Sequence, residues 1–333
     1  MASSHSLDQP PRFRIHTADV GVPHENFAAD VITGLGGRKK SLPAKYFYDA
    51  RGVRLYEQIC NLPEYYLSRA EQEIFVTYVA EMYRRIGHLP LVELGAGSAT
   101  KTRYLLDAYA GTGQPFVYCP VDVSLSMLQE TAQGLVTAYP QITVEALHAA
   151  VAAWPEAMQT LPIEQKAVAF FGSGLGNFTR EESADFFRRL AAIFGPDDVF
   201  LLGIDLKKSL QLLLPAYEDA QGVTAAFNLN LLRRINRELG GTFDLENFEH
   251  VVLYNDIHGR IEMHLRSRMP QEVTIERTEQ VVTIAPGEMI HTENSYKYTV
   301  EEVQEMGAQA GLDLVRTWFD SRSYFLVSMF RPQ

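Results

Sequence analysis

The stretch that most constrains the fold is Leu91-Val92-Glu93-Leu94-Gly95-Ala96-Gly97, in which a short apolar run after Pro90 meets two glycines spaced G-x-G. An amphipathic segment, residues 102–110, follows at once, so the order is strand, tight turn, helix. Glycine at such a turn lets a ligand come up against the backbone, and the N-terminus of the helix behind it favours electron-rich ligand groups. Thr100 stands where the dinucleotide fingerprint has its third glycine, and Glu93 stands two residues before Gly95. E-x-G-x-G is the form expected when an adenosyl cofactor without a pyrophosphate lies over the turn. A bare strand-to-helix turn also uses glycine, so this stretch narrows the ligand only in company with its neighbours.

Residues 116–123 read as the second strand, ending in Val121-Asp122-Val123. An acid at this point is where nucleotide folds hold the ribose hydroxyls. Asp and Ser also begin helices, and residues 124–138 have a helical pattern. The acid and the glycine turn nevertheless occur together at the usual separation, roughly 20 or more residues, which favours the ribose role for Asp122. Residues 142–147 give a third strand, and the apolar run 167–171 is what a buried parallel strand shows. It opens into Gly172-Ser173-Gly174-Leu175-Gly176-Asn177, at the edge where open α/β sheets bind ligands. Asn177 either faces a substrate there or serves the turn, which both residue types favour. Thr179 and Glu182 form a capping box for a helix over 181–194, and 199–204 is a fifth strand followed by Asp205.

The polar residues 1–24, with Pro10-Pro11 and no sustained periodicity, read as a loose tail. Residues 25–35 suggest a short helix ended by Gly36-Gly37. Tyr46, Phe47 and Tyr48 crowd between turn signals, as in a surface loop pinned by its rings. Ser68 and Glu71 match a capping box for a helix that carries Ile74, Phe75, Tyr78, Val79, Met82, Tyr83 and Ile86 and stops at Gly87. After Lys207 the strand-helix alternation is interrupted for about ninety residues. Within that span 210–214 and 222–239 read as helices, while 260–268 and 272–284 alternate like antiparallel strands. A helix over 300–310 then leads to strands 312–318 and 324–330, close enough to form an antiparallel hairpin.

A mainly parallel sheet finished by such a hairpin separates adenosylmethionine-dependent methyltransferases from dinucleotide dehydrogenases. The expected fold class is therefore α/β: a class I methyltransferase Rossmann-like sheet with a C-terminal antiparallel hairpin, plus a second, α+β substrate-binding domain. The division reads as a cofactor domain from 68–206 and 297–333, and a substrate domain from 25–67 and 207–296. At 333 residues and 46% hydrophobic the chain can bury a core of this size. Its 30 basic and 41 acidic residues leave a net charge of −11, which opposes nonspecific binding to nucleic acid. The two cysteines, Cys60 and Cys119, make neither a C-x-x-C pair nor a disulfide framework. No apolar run is long enough to span a bilayer and residues 1–9 lack a signal-peptide core, so a soluble, cytoplasmic protein is expected.

Several unusual blocks occur in a common order: Lys45-Tyr46-Phe47-Tyr48-Asp49, Leu62-Pro63-Glu64-Tyr65-Tyr66, the glycine turn with Lys101-Thr102-Arg103, Val121-Asp122-Val123, and Gly172 with Gly176-Asn177. They continue with Ala216-Tyr217, residues 222–228, Asn236-Arg237-Glu238-Leu239, Arg260-Ile261-Glu262-Met263, and Thr292-Glu293 with Ser295. From about Ser41 onward the chain resembles the histidine-specific Nα-methyltransferases of ergothioneine biosynthesis. The resemblance implies an enzyme that uses S-adenosyl-L-methionine to convert L-histidine into trimethylhistidine (hercynine). It implies that Gly95, Gly97 and Lys101, with Gly172, receive the cofactor's methionine end and that Asp122 holds the ribose. On the substrate side, Asn177 and Tyr217 would hold the α-carboxylate, Tyr48 and Tyr65 lie near the α-amine, Glu293 and Ser295 bind the imidazole, and Met263 shapes its pocket.

These roles suit the chemistry. An amine attacking a sulfonium methyl is an in-line displacement that needs a neutral nitrogen, close approach and no metal. A free α-amine is mostly protonated at neutral pH, which makes Tyr48 the candidate for orienting the amine and passing on its proton. The chain also departs from its relatives. His148-Ala149-Ala150-Val151 stands where they carry Gly-Asp-Phe, whose acid contacts the adenine, and Gly174 and Asn294 replace residues commonly bulkier or apolar. A methyltransferase for another amino acid or amine, and a catalytically silent adenosyl-binding protein, are the alternatives. Retention of residues for both ends of the substrate argues against the silent protein.

Overall fold

The computed structural model describes residues 12–18 and 26–333. Its strands, in chain order, are β1 (Phe13–Thr17), β2 (Lys40–Ser41), β3 (Leu91–Leu94), β4 (Phe116–Asp122), β5 (Ile142–His148), β6 (Ala167–Phe170) and β7 (Val199–Asp205). They continue with β8 (Phe248–Asn255), β9 (Arg260–Ser267), β10 (Gln271–Ile275), β11 (Gln280–Ile284), β12 (Met289–Tyr296), β13 (Leu312–Phe319) and β14 (Phe325–Pro332). The main sheet has the order β1-β5-β4-β3-β6-β7-β14-β13. Strands β1 to β7 within it run parallel, while β14 is antiparallel to both β7 and β13. The parallel sheet closed by an antiparallel hairpin is thus present.

Successive residues of a strand point to opposite faces, and here both faces are buried. Along β6, Ala167 and Ala169 join one apolar cluster while Val168 and Phe170 join another. Val199 and Leu201 against Phe200, Leu202 and Ile204 repeat the alternation on β7. The flanking helices are started by local chemistry. Thr179 and Glu182 form the expected capping box ahead of Arg180–Ala192, and Thr299 with Glu302 does the same ahead of Val300–Gln309.

A third apolar cluster lies apart from these two. It draws on Val31, Phe47, Leu55 and Ile59 from the N-terminal part and on Leu231, Ile261, Leu265 and Ile290 from the later part. A four-stranded sheet of order β2-β12-β9-β8 and the two-stranded ribbon β10-β11 belong to this region, with the helix Val223–Leu239. No helix among the described residues is long and apolar enough to cross a membrane.

Four local expectations need correcting. Part of the expected tail, Phe13–Thr17, is a strand paired parallel to β5, where Arg14 and His16 reach Glu145 at 3.3 and 2.7 Å. Its partner lies about 130 residues away, beyond any local signal. Residues 1–11 and 19–24 of that tail, and Glu25 at the start of the next expected helix, lie outside the described residues. The aromatic stretch is no surface loop: Ala44–Phe47 is a turn of 3-10 helix with Tyr46 and Phe47 buried, and Asp49 caps the helix Ala50–Cys60. The helix expected to open at Ser68 opens at Tyr66 without a side-chain cap, and Ser68 and Glu71 lie inside it. The run 272–284 is broken by a short turn at Glu276–Thr278 into the ribbon β10-β11, and the strand β8 was not anticipated.

The helix Val300–Gln309 packs on β14 through Gly307, where an added methyl would lie 2.5 Å from the Phe330 ring and 3.1 Å from the Leu312 carbonyl. Phe330 is fully buried and has no room to yield. Gly307→Ala should therefore destabilise the protein by about 1–3 kcal/mol, the usual cost of overpacking, read as a lower midpoint in denaturant at unchanged slope.

Candidate active site

At the carboxyl ends of β3, β4 and β6 the chain leaves a cavity of about 1720 Å³, larger than the several hundred that one small ligand needs. Gly95 and Gly97 turn the chain after β3 with φ of 67° and 51°, a region open to glycine at no steric cost. Gly95 N–H donates to Val121 O at 2.8 Å, fixing the turn against β4. Beneath it, buried Glu93 accepts from Thr102 Oγ1 at 2.5 Å and from the Tyr118 hydroxyl. Burial pushes the Glu93 carboxyl up to about 7 against those two hydrogen bonds.

Asp122, the last residue of β4, accepts from Gly97 N at 3.0 Å and Ser124 N at 2.9 Å. Capping of the helix Leu125–Ala138 falls to Ser124, whose hydroxyl accepts from Met127 N. Asp122 is thus left to brace the glycine turn and face the cavity. Burial raises its pKa, opposed by the backbone N–H groups of Ser124 and Gly97. Lys101 is held by Glu71, whose Oε2 lies 2.6 Å from Nζ while Oε1 accepts from Gly172 N at 2.7 Å. Burial works against the Lys101 charge, but the Glu71 carboxylate outweighs it and the pKa is raised.

The opposite wall comes from the third cluster and from β12. Tyr48 meets both Tyr56 and Phe227 edge to face, at 5.7 and 5.8 Å between centroids. Tyr65 lies 6.4 Å from Tyr217. Glu293 pairs in register with Met263 on β9, and Ser295 with Ile261. The Tyr217 hydroxyl and Ser295 Oγ are 2.7 Å apart. Burial lifts the Glu293 carboxyl to about 7, opposed by the Lys297 charge and then by the Asn177 side chain. Burial, and next the Glu293 charge, raise the Tyr48 phenol far above its ordinary range. Tyr48 therefore rests as a neutral hydroxyl at the cavity wall.

Every candidate from the sequence lines this one cavity. Gly95, Gly97, Lys101, Asp122 and Gly172 lie on the sheet side. Tyr48, Tyr65, Asn177, Tyr217 and Met263, with Glu293 and Ser295, lie opposite or between. Sequence reasoning missed Glu71, Tyr56 and Phe227, and the fully buried pair Asp205 and Lys297, 2.8 Å apart. Lys297 continues the period-two series Glu293, Ser295, and that alternation could have found it.

The residues fit an adenosyl cofactor. The glycine turn leaves backbone open to it, Asp122 offers a braced carboxylate and Lys101 a fixed cation, and the volume admits an amino acid as well. Val151, Ala152 and Trp154 also line the cavity, with Trp154 Nε1 donating to Ala149 O at 3.2 Å. Gly174 is explained by Phe170, whose ring would lie 2.5 Å from any added methyl. Asn294 bonds His291 at 2.9 Å.

Fold and cavity together define a class I methyltransferase that uses S-adenosyl-L-methionine. The chain belongs to the SAM-dependent histidine-specific methyltransferase family, which it matches over residues 27–332. It is 41% identical to the histidine N-alpha-methyltransferase of Mycolicibacterium smegmatis, over 92% of this chain and 94% of that one. The corresponding enzyme of Mycobacterium tuberculosis is 39% identical over 92% and 95%. Ergothioneine biosynthesis protein 1 of Neurospora crassa is 31% identical over 86% of this chain and 33% of its own length.

Glu93 gives a test by pH. The unfolded carboxyl loses its proton near 4.5 and the folded one near 7, so between these values the folded state binds more protons and its stability falls as pH rises. Glu93→Gln does not titrate. Melting curves of the ligand-free protein should show the variant gaining on wild type between pH 5 and 7, with a constant gap above and below that window.

Proposed function

We propose that the protein transfers methyl groups from S-adenosyl-L-methionine to the α-amine of L-histidine, making Nα,Nα,Nα-trimethylhistidine in three turns as the first step of ergothioneine biosynthesis. The observation that carries this reading is that Glu293 and Ser295, neighbours on one edge of β12, face the cavity into which Gly95, Gly97 and Asp122 also open. A carboxylate and a hydroxyl at that spacing match the two nitrogens of an imidazole. We further infer that residues 68–206 with 297–333 act as the cofactor-binding part, and 25–67 with 207–296 as the substrate-binding part.

When bound, the cofactor supplies an electrophilic methyl on a sulfonium. The chain's own residues do the rest. Asn177 and Tyr217 are neutral donors, able to hold the α-carboxylate without a permanent counter-ion facing it. Tyr48 accepts from the amine and directs its lone pair. Each transfer exchanges one S–C bond for one N–C bond, with the thioether as leaving group, and requires the amine to lose one proton beforehand. Because the Tyr48 phenol is held neutral, that proton passes through its hydroxyl to water instead of resting on it. Tyr56 and Phe227 wall the amine site with apolar surface, so the neutral amine is favoured over the ammonium.

Mass spectrometry of reactions with S-adenosyl-L-methionine and each of the common amino acids tests the assignment: histidine should gain three methyl groups. A preferred substrate without an imidazole would overturn it. At residue level, Glu293→Ala should cost histidine roughly tenfold or more in catalytic efficiency, the scale of a charged hydrogen bond worth ~1.5–3 kcal/mol. Cofactor affinity should hardly change, and the advantage of histidine over phenylalanine and tryptophan should narrow. The ratio of efficiencies across those three substrates reads the effect.

A further inference from the structure

We infer that Lys297 is a positioning residue that fixes the direction of hydrogen bonding through Tyr217 and Ser295, so that Ser295 can only accept from a substrate and the pocket selects a ring presenting N–H to it. The inference rests on the reading that places the substrate carboxylate at Tyr217 and the ring at Ser295.

Lys297 is fully buried, and its Nζ has three near neighbours: Asp205 Oδ2 at 2.8 Å, Tyr217 Oη at 2.7 Å and Ser295 Oγ at 2.9 Å. An ammonium has three donors and no acceptor, so each neighbour must accept one hydrogen. Asp205 is the acceptor for one of the three: its carboxylate also takes the single Tyr66 proton, shared between oxygens 2.9 and 2.7 Å away, and Lys208 Nζ lies 2.5 Å from Oδ1. Burial works against the Lys297 charge, yet Asp205 holds the pKa raised, so all three donors persist.

The two hydroxyls bring one proton each, and their 2.7 Å contact uses one of the two. A carboxylate offers only acceptors. When it lies at Tyr217, the tyrosine proton must turn to it, and the Tyr217–Ser295 bond then runs from Ser295 to Tyr217. Ser295 has given its proton to Tyr217 and one lone pair to Lys297, which leaves it a single lone pair. A bare nitrogen or a sulfur facing that lone pair finds no donor, whereas an N–H is satisfied. The second ring nitrogen faces Glu293. Either imidazolium against carboxylate or imidazole against the carboxylic acid completes the set with the same number of protons, and a Glu293 pKa of about 7 makes both forms available.

The test is calorimetry in the presence of S-adenosylhomocysteine, comparing histidine with its two thiazole analogues, in which sulfur replaces one or the other ring nitrogen and no N–H remains. Wild type should prefer histidine by roughly 10–100-fold. Lys297→Met touches no substrate atom but frees Ser295 to turn its proton outward, and the preference should shrink to within a few-fold. A purely structural role would weaken all three ligands alike and leave the ratio intact. If Ser295→Ala lowers the ratio and Lys297→Met does not, the inference is overturned while the placement of the ring stands. If Ser295→Ala also leaves it unchanged, the placement itself fails. Should Lys297→Met not fold, nuclear magnetic resonance of wild type with histidine labelled in its ring nitrogens decides. The nitrogen whose signal Ser295→Ala displaces must carry a directly bonded proton, and a proton-free nitrogen there would sink the inference.

Discussion

Asp205 at the end of β7 is the charge on which the rest of the site depends. It gathers Tyr66 from the long helix Tyr66–Ile86, Lys208 from the segment after β7, and Lys297 from the segment after β12. Through Lys297 it reaches Tyr217 and Ser295. Burying such a group is expensive, and a well-packed apolar set of the same volume would often be as stable. What an apolar set could not do is assign each hydroxyl a donor and an acceptor. The network's contribution therefore lies in geometry: hydroxyls of two cavity-lining residues from distant parts of the chain are held at one distance.

Glu71 plays the matching part on the cofactor side. One carboxylate orients the Lys101 ammonium and also receives the Gly172 N–H, so the turn after β3 and the turn after β6 share an anchor. Gly203 makes room for it on β7, where an added methyl would lie 2.4 Å from Glu71 Oε1. Beyond the two turns, Val151, Ala152 and the Trp154 indole give the cavity an apolar stretch of wall, the indole N–H being already engaged by Ala149 O.

What could be read from the sequence follows from the range of each interaction. The glycine turn, Asp122, the Thr179 capping box and the apolar strands announce themselves because their hydrogen bonds or periodicities close within a few residues. β1 does not, since its value lies in a strand far along the chain. Ser68 and Glu71 satisfied a local capping pattern while the fold used Glu71 for Lys101, a case where a long-range charge partner overrode a local motif. Tyr56, Phe227 and Asp205 carried no local signature, and Lys297 only the period-two continuation of Glu293 and Ser295. Tyr48, Tyr65, Asn177 and Tyr217 would likewise have stayed aromatic or turn residues without the family's ordered blocks.

β12 shows why Glu293 and Ser295 were hard to see as part of a strand. Thr292-Glu293-Asn294-Ser295 has the composition of an exposed turn, yet Thr292, Glu293 and Ser295 are buried. The strand runs from one apolar cluster, where Ile290 belongs, to another, where Tyr296 belongs. Between them it borders the cavity, so polar side chains there are shielded from bulk water without being packed in hydrocarbon. That position reconciles composition with burial and lets their polar atoms await a ligand's. On the proposed assignment it also separates two functions along one chain: Glu293 and Ser295 lie between the clusters, while the glycine turn and Asp122 stand on the parallel sheet, so substitutions that change substrate preference would leave the cofactor side undisturbed.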